Sequence, residues 1–263
     1  DGLGYLPGLL PEPLYPLTKA EANPFASRSF WVTLNIPKDI KPGKHSYKIK
    51  MEWKKGKEEL SKTLTLKLNV AALVIQPRHD FHVTHWWRGE ATSIYYKTKM
   101  FDETWWKHTR AQMQNLIDHG TDVAFIQNFF EFKVLFKEPC QMLIVNEPSP
   151  GKYDFDWSVI KRFVDMCKDM GYKKFEWAHL WMYWGVKTAM RVYTIKNDKY
   201  ELLWPADLDG FSDTYVNFLE QFLPALHDFL KKENLLDDSY FHLSDEPWSE
   251  HIPNYKKARE LLH

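Results

Sequence analysis

The sequence predicts an α/β protein with a β domain in front. Residues 1–76 read as part of a β-sandwich, and residues 77–263 as a (β/α)8 TIM-type barrel of which this chain holds the first half. Three observations predict this. Residues 29–70 alternate apolar and polar side chains with period two. From about residue 77, strand-like runs alternate with helix-like ones, which implies a parallel sheet with crossover helices. Four such units fit before the chain stops, and a closed barrel takes about 250 residues. A half-barrel cut from a longer protein is therefore expected, with an open sheet as the alternative.

The β part rests on three runs. "SFWVTLNIP" (29–37) alternates Val32, Leu34 and Ile36, "GKHSYKIKMEW" (43–53) alternates Tyr47, Ile49, Met51 and Trp53, and "KTLTLKLNV" (62–70) alternates Leu64, Leu66, Leu68 and Val70. Such alternation is the pattern of half-buried antiparallel strands. "KKGK" (54–57) reads as a hairpin turn and "PKDIKPG" (37–43) as a Pro/Gly loop. Three strands are too few for a complete sandwich. Either the chain begins inside that domain or its proline-rich lead supplies irregular edges.

In the second part, "FHVTHWW" (81–87), "TDVAFIQNF" (121–129), "KKFEWAHL" (173–180) and "SYFHLSDEP" (239–247) read as strands. Between and after them, 102–120, 157–171, 212–235 and 254–263 read as helices. Gly120 and Gly171 stop the first two, and Pro224 interrupts the third.

Composition narrows the function classes. Lys plus Arg and Asp plus Glu both number 35, which removes the electrostatic case for a nucleic-acid binder. No run is long and apolar enough to span a membrane. The opening "DGLGYLPGLLPEPLYP" has neither a basic nor an apolar leader segment, so it does not read as a signal peptide. Cys140 and Cys167 make neither a metal motif nor a disulfide framework. His82, His85, His179 and His242 lack tight ligand spacing, so no catalytic metal and no cofactor are expected. The 12 Trp, 13 Tyr and 17 Phe fit either a large aromatic core or surfaces that stack on sugar rings.

The chemistry gathers in "YFHLSDEPWSEH" (240–251), where a strand-like run ends in Asp245 and Glu246. In a β/α barrel, strand C-termini form the active-site rim. Two adjacent carboxylates are costly in a core, which favours that rim, and Pro247 fixes the exit path. The bland reading is a helix-capping or surface pair. Paired acids suggest glycoside hydrolysis. Conventional retaining enzymes, however, hold their two carboxylates about 5–5.5 Å apart on either side of the sugar bond. Neighbours on one strand point to opposite faces and are poorly placed for that. Adjacency suits a substrate that brings its own nucleophile, the amide oxygen of a 2-acetamido sugar. One acid then stabilises the acetamido group and the other protonates the leaving oxygen.

"HLSDEPW", together with the lead-in "FWVTLNIPKDIKPGKHSYKIKM", resembles glycoside hydrolase family 123 and a related uncharacterised domain family. The resemblance implies a sandwich-then-barrel fold and retaining β-N-acetylgalactosaminidase activity on a glycan or glycoconjugate. It makes Asp245 the acetamido-stabilising residue and Glu246 the general acid/base. It also suggests a secreted or periplasmic setting, on which the residues themselves are silent. The departure is length, since the later strands of the family's pocket are missing.

Other candidates stand beside this pair. "VNEPSPG" (145–151) carries an Asn-Glu-Pro that would make Glu147 the acid/base and Glu246 the nucleophile of a conventional retaining glycosidase, yet it reads equally well as a hairpin turn. Asn128 and His179 fall at strand ends where a sugar hydroxyl could be held. Trp181, Tyr183 and Trp248, with Trp86, Trp87 and Trp184, form either a sugar platform or barrel packing. A non-catalytic carbohydrate-binding protein on a decayed barrel is the remaining alternative.

Overall fold

The computed structural model describes residues 19, 21, 29–75, 81–129, 138–182, 184–197 and 199–262. The chain divides into two compact units, Asp1–Pro77 and Arg78–His263.

In the first unit, β1 (Gly43–Lys55) pairs antiparallel with β2 (Glu58–Val70) in unbroken register from Gly43↔Val70 to Lys55↔Glu58. The expected turn lies between them, and Gly56 takes φ +65°, which glycine adopts without steric cost. The third expected strand is not formed. Residues 29–37 are irregular and exposed throughout. Their alternation anticipates a facing layer, and the described residues of this unit supply none. They form one two-stranded sheet rather than a sandwich.

The second unit is mixed α/β. Its elements in order are α1 (Gly89–Tyr96), α2 (Glu103–Asp118), β3 (Val123–Ile126), β4 (Ile144–Ser149), β5 (Lys152–Asp156), α3 (Ser158–Met170), β6 (Lys174–Trp177), β7 (Tyr193–Lys196), β8 (Lys199–Leu202), α4 (Asp213–Lys232), β9 (Ser239–Tyr240) and α5 (Ile252–Leu261). The parallel sheet runs β3–β6–β9, and a parallel bridge from Thr84 to Val123 extends its β3 edge. Chain order therefore equals spatial order. No closed barrel forms among the described residues. The run 81–87 contributes only that single bridge, because Val83 and Thr84 alone meet the edge of β3. The last strand is paired only at Ser239 and Tyr240, yet its path stays alongside the segment after β6. The Leu180 N–H donates to the His242 carbonyl at 3.3 Å and the Trp181 N–H to that of Leu243 at 2.9 Å.

Helix starts and stops follow local chemistry. Asp102 caps α2 by accepting from the Trp105 N–H at 2.7 Å, and Ser212 caps α4 toward Tyr215. Gly171 ends α3 at φ +97°. α4 passes Pro224 as one continuous helix. α1 and the β7–β8 hairpin are additions that the strand–helix reading did not contain.

The aromatic excess is largely core. α4 buries Tyr215, Phe218, Leu219, Phe222, Leu226, Phe229 and Leu230, a stripe at helical spacing. Phe218 and Phe222 stack at 5.7 Å and 8°, and Trp157 stacks on Phe229 at 4.6 Å and 13°. All four residues of β3 are buried, as expected for a parallel strand covered on both faces. Cys140 and Cys167 are buried free thiols, and burial pushes both well above the ordinary thiol value. No described helix is long and apolar enough to cross a membrane.

Candidate active site

Asp245 and Glu246 lie just past the C-terminal end of β9, on the parallel sheet's C-terminal edge. Asp245 is half-buried and Glu246 is exposed. Glu246 takes φ +40°, in the left-handed region that non-glycine residues seldom occupy. Such strain persists only where surrounding contacts over-determine it, and it concentrates at functional sites.

Those contacts come from the loop after β6. The Trp184 backbone N–H donates to the Asp245 carbonyl at 3.3 Å, and its indole Nε1–H donates to Glu246 Oε2 at 3.0 Å. Ser244 Oγ donates to the Met182 carbonyl at 3.2 Å. On the other side, Tyr255 Oη of α5 donates to the Ser244 carbonyl at 3.2 Å. The acidic pair is thus gripped by its backbone while the Glu246 side chain stays open to solvent.

Trp248 is 69% exposed. Its backbone N–H donates to His251 Nδ1 at 3.0 Å, which closes the turn into α5. With Ile252 and Tyr255 it lines a shallow cavity of about 310 Å³ beside Pro247. The other sequence candidates lie deeper. Asn128 is buried, and its Oδ1 accepts from the Ala178 N–H at 2.9 Å, tying the ends of β3 and β6 together. His179 is buried edge-on to Trp86 (5.3 Å) and His242 (5.4 Å). Trp181 has no exposed surface. Its Nε1–H donates to the Gly210 carbonyl at 2.8 Å and its ring packs against Phe211 and Tyr215. Its ring therefore belongs to the core and offers no face to a sugar. Tyr183 lies outside the described residues. Glu147 sits in the β4–β5 hairpin, where Oε1 accepts from the Gly151 N–H at 3.0 Å, the local bond of a tight turn.

One grouping escaped the sequence reading. Glu176 on β6 is 3% exposed, and its Oε1 accepts from Trp86 Nε1–H at 3.0 Å and from His242 Nε2 at 2.9 Å. Register sets Phe125, Glu176 and Tyr240 side by side on one sheet face, with Trp86 stacked on Phe125 at 5.9 Å. The available signal was a charged residue inside the apolar run "KKFEWAHL", because a buried charge requires partners. Burial pushes the Glu176 carboxyl up, but the bonds from His242, Thr84 and Trp86 outweigh it and hold the group below its ordinary value. A carboxyl held low in the folded state stabilises the protein above its unfolded value, and that contribution is lost as pH falls through the folded one. The melting temperature of Glu176→Gln should therefore lie below that of the wild type at pH 6. The gap should close as pH drops below about 4.5, the ordinary glutamate value. A gap that stays constant from pH 6 to pH 3 would contradict this account.

Among the described residues, no group of three or more His, Cys, Asp or Glu side chains is arranged to hold a metal ion. The geometry is that of an α/β unit with an acidic pair on the edge where parallel sheets carry their active sites.

The comparisons extend this to a family. The sequence profile described as glycoside hydrolase 123, catalytic domain, matches residues 86–263. The chain belongs to glycoside hydrolase family 123. No curated protein matches it in sequence. In structure it is similar to a family 123 glycoside hydrolase from Clostridium perfringens, solved to detail glycolipid glycan hydrolysis. The TM-score is 0.64 at 19% identity, over 84% of this chain and 39% of that one. That identity speaks to the fold alone, and this chain spans well under half the length of that relative.

Proposed function

We propose that the protein is a retaining glycosidase that removes a terminal β-linked 2-acetamido sugar, N-acetylgalactosamine first among them, by substrate-assisted catalysis. The observation that carries this reading is the consecutive pair Asp245–Glu246 at the C-terminal edge of the parallel sheet, in a chain of family 123. The acetamido carbonyl oxygen attacks C1 as the glycosidic C1–O bond breaks, and Glu246 gives its proton to the departing oxygen. Asp245 stabilises the cation of the fused oxazolinium ring. Glu246, now a carboxylate, takes a proton from the water that opens the ring at C1, so the configuration is retained. The spatial order Thr84, β3, β6, β9 supports reading the second unit as the first four strands of a (β/α)8 barrel. Trp248, exposed beside the pair, is the sugar-stacking candidate best supported by its accessibility, while Asn128 ties the ends of β3 and β6 together and His179 packs edge-on to Trp86 and His242.

The test is a pair of inhibitors applied to the full-length protein. A thiazoline mimic of the cyclised N-acetylgalactosamine should compete with substrate, and a 2-deoxy-2-fluoro glycoside should leave no ester. Trapping a covalent sugar on any carboxylate, Glu147 included, would overturn substrate assistance in favour of the two-carboxylate mechanism.

A further inference from the structure

We infer that Trp184 is a positioning residue that holds the Glu246 carboxylate in its working orientation. This rests on the reading of Glu246 as the proton donor. Its indole N–H donates to Glu246 Oε2 at 3.0 Å. Both side chains are exposed, and an isolated surface contact of this kind would be loose. The loop that carries Trp184 is not loose. Trp184, Gly185 and Val186 take φ +62°, +104° and +54° in succession, two of the three without being glycine. A β-branched residue at positive φ is strained and needs compensation. The compensation is visible on every side. Val186 has no exposed surface. The Gly185 carbonyl accepts from Asn254 Nδ2 at 3.0 Å, and a Cβ at Gly185 would lie 2.9 Å from the His251 ring. The Met182 N–H donates to the Thr188 carbonyl at 3.1 Å, and the Trp184 N–H reaches Asp245 itself.

The strained tripeptide therefore serves to aim one indole at one carboxylate oxygen. Glu246 meets it from a backbone that is itself left-handed. With Oε2 occupied by a donor, Oε1 is the oxygen left to carry the proton toward the leaving group. A carboxyl turned away from the glycosidic oxygen loses the gain of orientation, and small misplacements cost large factors in rate.

The experiment uses the full-length protein and Trp184→Phe, which keeps a ring and removes the N–H. For a phenyl β-N-acetylgalactosaminide, which needs protonation to depart, kcat/KM should fall about ten-fold or more. For the dinitrophenyl analogue it should fall less than about three-fold. In a Glu246→Ala background, the same change should cost nothing further on either substrate, because the group it positions is gone. Equal losses on both leaving groups, or the full penalty repeated in the Glu246→Ala background, would overturn the inference. An independent readout needs no substrate. Among the tryptophan indole N–H resonances, the one that Trp184→Phe removes should shift in Glu246→Ala, while those of the buried Trp105 and Trp181 stay in place. A stationary Trp184 resonance would also overturn it. A wild type inert toward both glycosides would instead overturn the proposed substrate, leaving the indole resonance to decide the contact.

Discussion

Glu246→Gln should abolish most hydrolysis of unactivated substrates and spare activated ones. For a glycan or phenyl leaving group, kcat should drop by about 10²–10⁴, the usual contribution of a general acid. That range corresponds to about 3–5 kcal/mol of transition-state stabilisation. A dinitrophenoxide leaves as a stable anion and requires almost no proton, so its cleavage should lose under about ten-fold. The side chain keeps its shape, and the carboxamide oxygen can still accept the Trp184 indole N–H that now meets Oε2. The variant therefore isolates the proton from the scaffold. The measurement is kcat across aryl glycosides of graded leaving-group acidity. The dependence should be shallow in the wild type and steep in the variant. A uniform loss across the series would remove Glu246 from the role of acid and return attention to the loop around it.

What the sequence revealed depends on whether an element's partners lie nearby in the chain. Strands β3 and β6, the long helices and the β1–β2 hairpin were legible because their burial patterns are periodic and their stops are local, such as Gly171 and the turn at Gly56. Residues 29–37 show the same period two and form no strand, since periodicity anticipates a facing layer without supplying one. The acidic pair was legible because two adjacent charges cannot follow an apolar run without reaching a rim. Its supports were not. Trp184 and Glu246 are 62 residues apart and Trp86 and Glu176 are 90 apart. No spacing rule links them, and only the fold brings them together. Trp181 shows the converse. A tryptophan past a strand end reads as a platform, but 29 residues later Gly210 offers its carbonyl and room for the ring, and the indole goes inside.

Asp245→Asn should fail differently from Glu246→Gln, and that difference is what separates the substrate-assisted mechanism from its rivals. The substitution keeps the side chain's shape and deletes its negative charge. In ring closure, positive charge grows on the acetamido group whatever the leaving group is. Loss of the carboxylate should therefore slow dinitrophenyl and phenyl glycosides by similar factors, about 10²–10³ as for a removed stabilising group. The half-buried setting of Asp245 strengthens the effect, because a charge partly withdrawn from water is screened less than an exposed one. Its carbonyl still accepts the Trp184 N–H, so the backbone grip survives the change. The thiazoline mimic reports the same interaction in a stable compound. Since it resembles the transition state more than the substrate does, its inhibition constant should rise in proportion to the lost kcat/KM, while simple sugar binding changes little. If Asp245→Asn instead reproduced the leaving-group dependence of Glu246→Gln, Asp245 would be acting on the departing oxygen. If it left thiazoline affinity unchanged, the acetamido group would have no contact with this carboxylate, and the nucleophile would have to be sought on the protein.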